Sequence, residues 1–108
     1  MSTTEFAASV RHEGSAAVLE LSGEISSAAE HGLLAAYAEA TDAGVVILDF
    51  SHVDYINSTG IALIVGILAD ARKSGQEVQA RGLKEHYREI FRITRLSDFM
   101  TILDDDGE

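Results

Sequence analysis

Phe6, Ala8 and Val10 alternate with polar neighbours, the two-residue period of a half-buried strand. His12-Glu-Gly-Ser15 has the composition of a hairpin turn, and Ala17, Leu19 and Leu21 resume the alternation in a second strand. Ser27-Ala-Ala-Glu30 then shows the spacing of a capping box, in which the Ser and Glu side chains each satisfy a free backbone N–H. A helix is predicted to follow, with Leu33, Leu34, Tyr37 and Ala38 facing inward and its end near Asp42–Gly44. Val45-Val-Ile-Leu48 is apolar without alternation, the pattern of a strand buried on both faces of a parallel sheet.

After a short loop, a second helix is expected from about Ser58 to Lys73. Arg72 and Lys73 lie in its last turn, where cations suit the helix dipole, and Gly75 can take the left-handed conformation that ends it. Glu77–Arg81 reads as a fourth strand. Leu83, Tyr87, Ile90, Phe91 and Thr94 fall at helical spacing, giving a third, amphipathic helix, and Phe99–Leu103 reads as a last short strand. The order β-β-α-β-α-β-α-β predicts an α/β fold with a mixed sheet: an antiparallel pair first, then strands joined through helices by parallel crossovers.

The length of 108 residues suits one domain, with a core over about residues 5–103 and an acidic tail at 104–108 that holds the run Asp104-Asp105-Asp106. Eighteen acidic residues against eight basic ones argue against nucleic acid or an anionic membrane as partner, because either needs a basic patch to displace counterions. With no cysteine, disulfides and thiolate metal sites are excluded, and a reducing cytoplasmic location is expected. Met1-Ser-Thr-Thr-Glu-Phe6 lacks the basic and apolar regions of a secretory signal, and the apolar run Ile61–Ala69 is far short of the ~20 residues that span a bilayer.

The stretch Asp54-Tyr-Ile-Asn-Ser-Thr-Gly-Ile61 is the most informative. It follows the most buried strand and opens the most apolar helix, and functional sites of open α/β sheets gather outside the carboxyl ends of strands. Asn57 and Ser58 both suit an N-cap, and Gly60 would leave first-turn N–H groups open to another backbone or an anion. Simple capping accounts for these four residue types as well.

Asn57-Ser58-Thr59-Gly60, with the loop Ser51-His-Val-Asp-Tyr-Ile before it and the apolar helix after it, resembles the phosphorylation loop of bacterial anti-sigma factor antagonists of the STAS-domain family. The likeness continues through Leu21-Ser-Gly-Glu-Ile25, Val45–Phe50, Gly82-Leu83, Ile90-Phe91 and Leu96, in order, over about residues 5–103. It implies a STAS-like fold and a partner switch. The unmodified protein binds an anti-sigma factor that is itself a serine kinase and so frees a sigma factor. Phosphorylation of Ser58 breaks the complex, and a serine phosphatase restores it. The surface so implied comprises Glu24, Ser26, Tyr55, Ile56, Asn57, Ser58, Thr59, Gly60 and Ile61, with no cofactor and no catalytic group. Three departures stand out: Asn57 replaces the family's usual Asp, Ser26 replaces a frequent Asp, and the chain stops after the fifth strand where many relatives add a helix that covers a flank of the sheet.

Two other functions fit the same residues. One is a scaffold that assembles with other STAS domains while Ser58 stays unmodified. The other is a sensor that holds a nucleotide or metabolite phosphate on the N–H groups near Gly60. An enzyme is not expected. His12, His31, His52 and His86 share no metal-ligand spacing. Asp49 and Asp54 could form a paired-acid site, but no general base, nucleophile and oxyanion set accompanies them. No Gly-x-Ser-x-Gly elbow surrounds Ser58. Lys84, Arg88, Arg92 and Arg95 stripe the third helix and could receive a phosphate or an acidic partner. Glu85 and Glu89 stand at pairing distance, so a solvated ion-paired face is the simpler reading.

Overall fold

The computed structural model describes residues 5–103, so the acidic run Asp104–Asp106 lies outside the described residues. Five strands form one sheet in sequence order: β1 (Ala7–Glu13), β2 (Ala16–Ile25), β3 (Val45–Ile56), β4 (Glu77–Arg81) and β5 (Thr101–Ile102). β1 and β2 are antiparallel, turning at Gly14 with its φ of 63°, and every later pair is parallel. The helices are α1 (Glu30–Ala38), α2 (Ser58–Lys73) and α3 (Glu85–Ile93). This is the element order that the apolar periodicity predicts. β5 is shorter than expected, because a 3₁₀ turn at Leu96–Asp98 takes up the approach to it and leaves Phe99 half exposed.

All three helices share one core with the sheet. Ala17, Leu19, Leu21 and Ile25 of β2 and Val46, Leu48 and Phe50 of β3 meet Leu33 and Tyr37 of α1, Ile64 and Ile67 of α2, and Tyr87 and Phe91 of α3. Phe91 stands edge-on to Phe50, with ring centroids 6.1 Å apart and planes at 86°, an arrangement that adds to simple area burial. The helices therefore cover one face of the sheet.

The opposite face follows from the alternation of each strand, and it corrects the reading of Val45–Leu48 as buried on both sides. Val46 and Leu48 are buried, whereas Val45 and Ile47 are only half-buried. The row of Ile47 runs across the register through Arg11, the fully buried Val18, Gln79 and Thr101, and its neighbour through Ser9, Glu20, Asp49 and Arg81. Cross-strand polar pairs cover that face, among them Arg11 with Glu20 at 2.6 Å and Arg81 with Asp49 at 3.4 Å. An exposed pair such as Arg11 with Glu20 contributes ~0–1 kcal/mol, whereas Arg81 with Asp49 is partly buried.

α1 also differs from expectation. Ser27 and Glu30 form no capping box: Ser27–Ala29 is a 3₁₀ turn without a side-chain cap, and α1 begins at Glu30. Ala29 is fully buried, and packing that small residue under the first turn sets the helix's phase. The inward stripe becomes Ala29, Leu33, Ala36, Tyr37 and Ala40, leaving Leu34 and Ala38 exposed.

β3 must match β2 from Ala16↔Val45 to Ile25↔Ile56, although the first stretch holds ten residues and the second twelve. The surplus is taken up by register shifts between Glu20 and Ser22 and between Gly23 and Glu24, two β-bulges on the longer strand. They bend the last part of β3 and deliver its end to the start of α2.

Candidate functional site

The site is a seam of three chain segments: the end of β2, the end of β3 and the first turn of α2. Asn57 is the N-cap of α2, and its Oδ1 accepts the Gly60 N–H at 2.8 Å. The Asn57 carbonyl accepts the Ile61 N–H at 2.9 Å, which opens the helical ladder. The Asn57 N–H donates to the Ile25 carbonyl at 3.2 Å, so the cap is tied to the neighbouring strand as well. Gly60 is required by space. A Cβ there would stand 2.1 Å from the Ile25 carbonyl oxygen and 2.8 Å from its carbon. The backbone that Gly60 admits is the chain's own.

Ser58 is the first residue inside the helix, and both it and Thr59 are exposed. Since Asn57 supplies the cap, the serine hydroxyl is not needed for it. Tyr55 is half exposed beside Glu24, its register partner on β2, and Ser26 and Ile61 are partly covered nearby. Two expected surface residues need correction. Ile56 is only 4 % exposed and belongs to the core, and Gly60 is buried against β2. The second bulge turns Ile56 inward and Tyr55 outward, a choice that residue type alone does not reveal. Both contribute to the surface by placing their neighbours.

The same geometry weakens the phosphate-sensor idea, because Asn57 Oδ1 occupies the Gly60 N–H that an anion would use. Nor do Asp49 and Asp54 form a pair. Asp49 accepts from the Ser51 hydroxyl at 2.6 Å and the Ser51 N–H at 3.0 Å and faces Arg81, while Asp54 is exposed. Burial by itself would raise the Asp49 pKa, but the hydrogen bonds from Ser51 and the Arg81 charge outweigh it and lower the carboxyl below its ordinary 3.8. Among the described residues no cluster of His, Asp or Glu could hold a metal ion, and no helix is long and apolar enough to cross a membrane. The basic stripe of α3 is largely engaged: Arg92 pairs with Glu89, Arg95 with Asp98 at 2.8 Å, and Lys84 Nζ donates to the Val53 carbonyl at 2.6 Å.

Residues 8–104 match the family described as "Mlab, STAS domain". The chain belongs to the STAS domain family. An anti-sigma-B factor antagonist of Listeria monocytogenes is 35 % identical over 66 residues, which cover 60 % of this chain and 58 % of that protein. This STAS chain thus spans less than two thirds of the length of that relative. BtrV of Bordetella bronchiseptica is 34 % identical over 84 residues, 76 % of this chain and 70 % of BtrV. Among solved structures, the Bacillus anti-sigma factor antagonist SpoIIAA superposes in its unphosphorylated form with a TM-score of 0.73, and in its phosphorylated form with 0.71. The first covers 91 % of this chain and 88 % of that one, the second 93 % and 94 %, each at 17 % identity, a likeness of fold. None of these names is that of an enzyme.

Sequence reasoning missed three contacts of the site: the Ile25 carbonyl with Asn57, Lys84 (read only as part of a basic stripe) with Val53, and Tyr87 with Ile56. Tyr87, 6 % exposed, accepts the Ile56 N–H on its hydroxyl at 3.0 Å. A buried tyrosine must find a polar partner, and that requirement was the available signal.

Proposed function

We propose that this chain is an anti-sigma factor antagonist, and that its partner is an anti-sigma factor of the serine-kinase type. Docking uses Tyr55, Asn57, Ser58, Thr59 and Ile61, with Glu24 and Ser26 at the rim. Phosphorylation of Ser58 releases the partner, and a serine phosphatase resets the switch. The observation that carries this reading is the division of labour at the helix start: Asn57 caps, which leaves the adjacent Ser58 hydroxyl exposed at the positive end of a sixteen-residue helix. The names of the Listeria and Bacillus relatives support the same role.

Phosphate adds about −1.5 to −2 charges. The helix end accepts them, with a contribution of ~0.3–1 kcal/mol, so the folded chain tolerates the change. A partner packed on a neutral hydroxyl would instead have to bury a dianion, at a cost of several kcal/mol. About 3 kcal/mol already weakens binding by some two orders of magnitude.

The test is a set of Ser58 variants against the kinase-type anti-sigma factor encoded in the same genome. Ser58→Asp is expected to weaken binding at least about a hundredfold without lowering the melting temperature. Ser58→Ala should bind as wild type and resist release by ATP. Wild-type affinity in Ser58→Asp would overturn the switch. Binding by wild type with no phosphate taken up at Ser58 would instead favour the scaffold, towards which the loss of a carboxylate at Asn57 points.

A further inference from the structure

β4 pairs with β3 only as far as Asp49↔Arg81, so the last seven residues of β3, from Phe50 to Ile56, run on without a strand on that side. Their backbone groups are met there by side chains of α3 and its N-cap. Lys84 Nζ donates to the Val53 carbonyl at 2.6 Å, and the Tyr87 hydroxyl accepts the Ile56 N–H at 3.0 Å. Lys84 and Tyr87 are three residues apart at the start of α3, and Val53 and Ile56 are three apart on the strand. The approach of α3 is fixed by Gly82, whose φ is +72° and where a Cβ would stand 2.1 Å from Ser51 Oγ and 2.7 Å from Ser51 N. One helix end thus replaces the missing strand.

We infer that Tyr87 is a positioning residue for Ser58, with Lys84 as its second clamp. Tyr87 holds residue 56 from the α3 side, the Ile25 carbonyl holds residue 57 from the β2 side, and Asn57 holds residue 60. The serine lies inside those three attachments, so the direction in which its hydroxyl leaves the surface is set by groups that need not touch a partner. The consequence for docking rests on the function proposed above; the positioning itself does not.

Tyr87→Phe keeps the buried ring and removes the acceptor, leaving the Ile56 N–H without a partner. Amide exchange at Ile56 is expected to speed up about tenfold or more beyond any common change at Val46 and Leu48. The chain has no cysteine, so a nitroxide on Ser58→Cys reports mobility at that position alone, and it should be freer in the Tyr87→Phe background. Affinity for the anti-sigma factor that wild type binds should fall about tenfold. An unchanged Ile56 amide, or equal acceleration of all three amides, would overturn the inference, as would a loosened Ile56 with wild-type nitroxide mobility and affinity. Lys84→Met, at an exposed position, should loosen Val53–Ile56 in the same direction and serves if Tyr87→Phe does not fold. The exchange and nitroxide measurements need no partner. A wild-type chain that binds no kinase-type anti-sigma factor would therefore fault the proposed function while these two still decide the positioning.

Discussion

At its C-terminal end α2 closes on itself. Gly75, at φ +75°, donates to the Arg72 carbonyl, and Gln76 donates to that of Ala71, the paired bonds of a Schellman motif. The Gln76 side chain then accepts from the Tyr37 hydroxyl at 2.6 Å and donates to the carbonyls of Ala40 and Ala43. The side-chain amide of Gln76 thus ties the end of α2 to α1 and to the loop that precedes β3. At the N-terminal end one residue, Asn57, supplies the cap through the Gly60 N–H, and Ser58 and Thr59 stay exposed. Each end also depends on a glycine for a different reason. Gly75 needs its backbone angle and has nothing within 4 Å of a Cβ, while Gly60 needs the space filled by the Ile25 carbonyl. The two ends are closed by different means: a backbone motif tied to α1 through Gln76 at one, and a single side chain beside two exposed hydroxyl residues at the other.

Alanine substitution at each glycine separates the two requirements. Gly60→Ala forces a Cβ into the Ile25 carbonyl, so unfolding in urea should show a loss of about 3 kcal/mol, at the upper end of overpacking costs. A loss below 1 kcal/mol would mean that the seam yields, and the contrast would fail. Gly75→Ala meets no steric obstacle and should lose only the ~1–2 kcal/mol of a left-handed non-glycine residue, with partner affinity unchanged. Asn57→Ala is expected to cost about 1 kcal/mol through the lost cap, with faster amide exchange at Gly60 and none at Gly75. Acceleration at both helix ends would show that the two ends are not separable.

How far the sequence reveals this molecule differs between these regions for the same reason. α2 has the expected bounds because both of its ends carry local signals, Asn57 through Gly60 and Gly75. β4 has its expected bounds too. α1 misleads, since Ser27 and Glu30 imitate a capping box while the burial of Ala29, a tertiary fact, decides where the helix begins. The seam was legible in its polar residues, but not in the inward turn of Ile56 or in its attachment to Tyr87, thirty-one residues further along. Periodicity reports which face a residue prefers. It does not report a bulge that changes the face.

The pair of bulges in β3 has an evolutionary corollary. Each bulge sets two residues of β3 against one of β2, so the side chains beyond it keep the side of their β2 partners: Val53 is buried opposite Gly23 after the first, and Ile56 opposite Ile25 after the second. Loss of one residue between Phe50 and Tyr55 would remove one bulge and leave Tyr55 opposite Glu24 on the outer side. Loss of two would remove both bulges and straighten the strand. Length variation in this stretch among related chains should therefore change the bend that carries the chain into α2, and not which residues face the core.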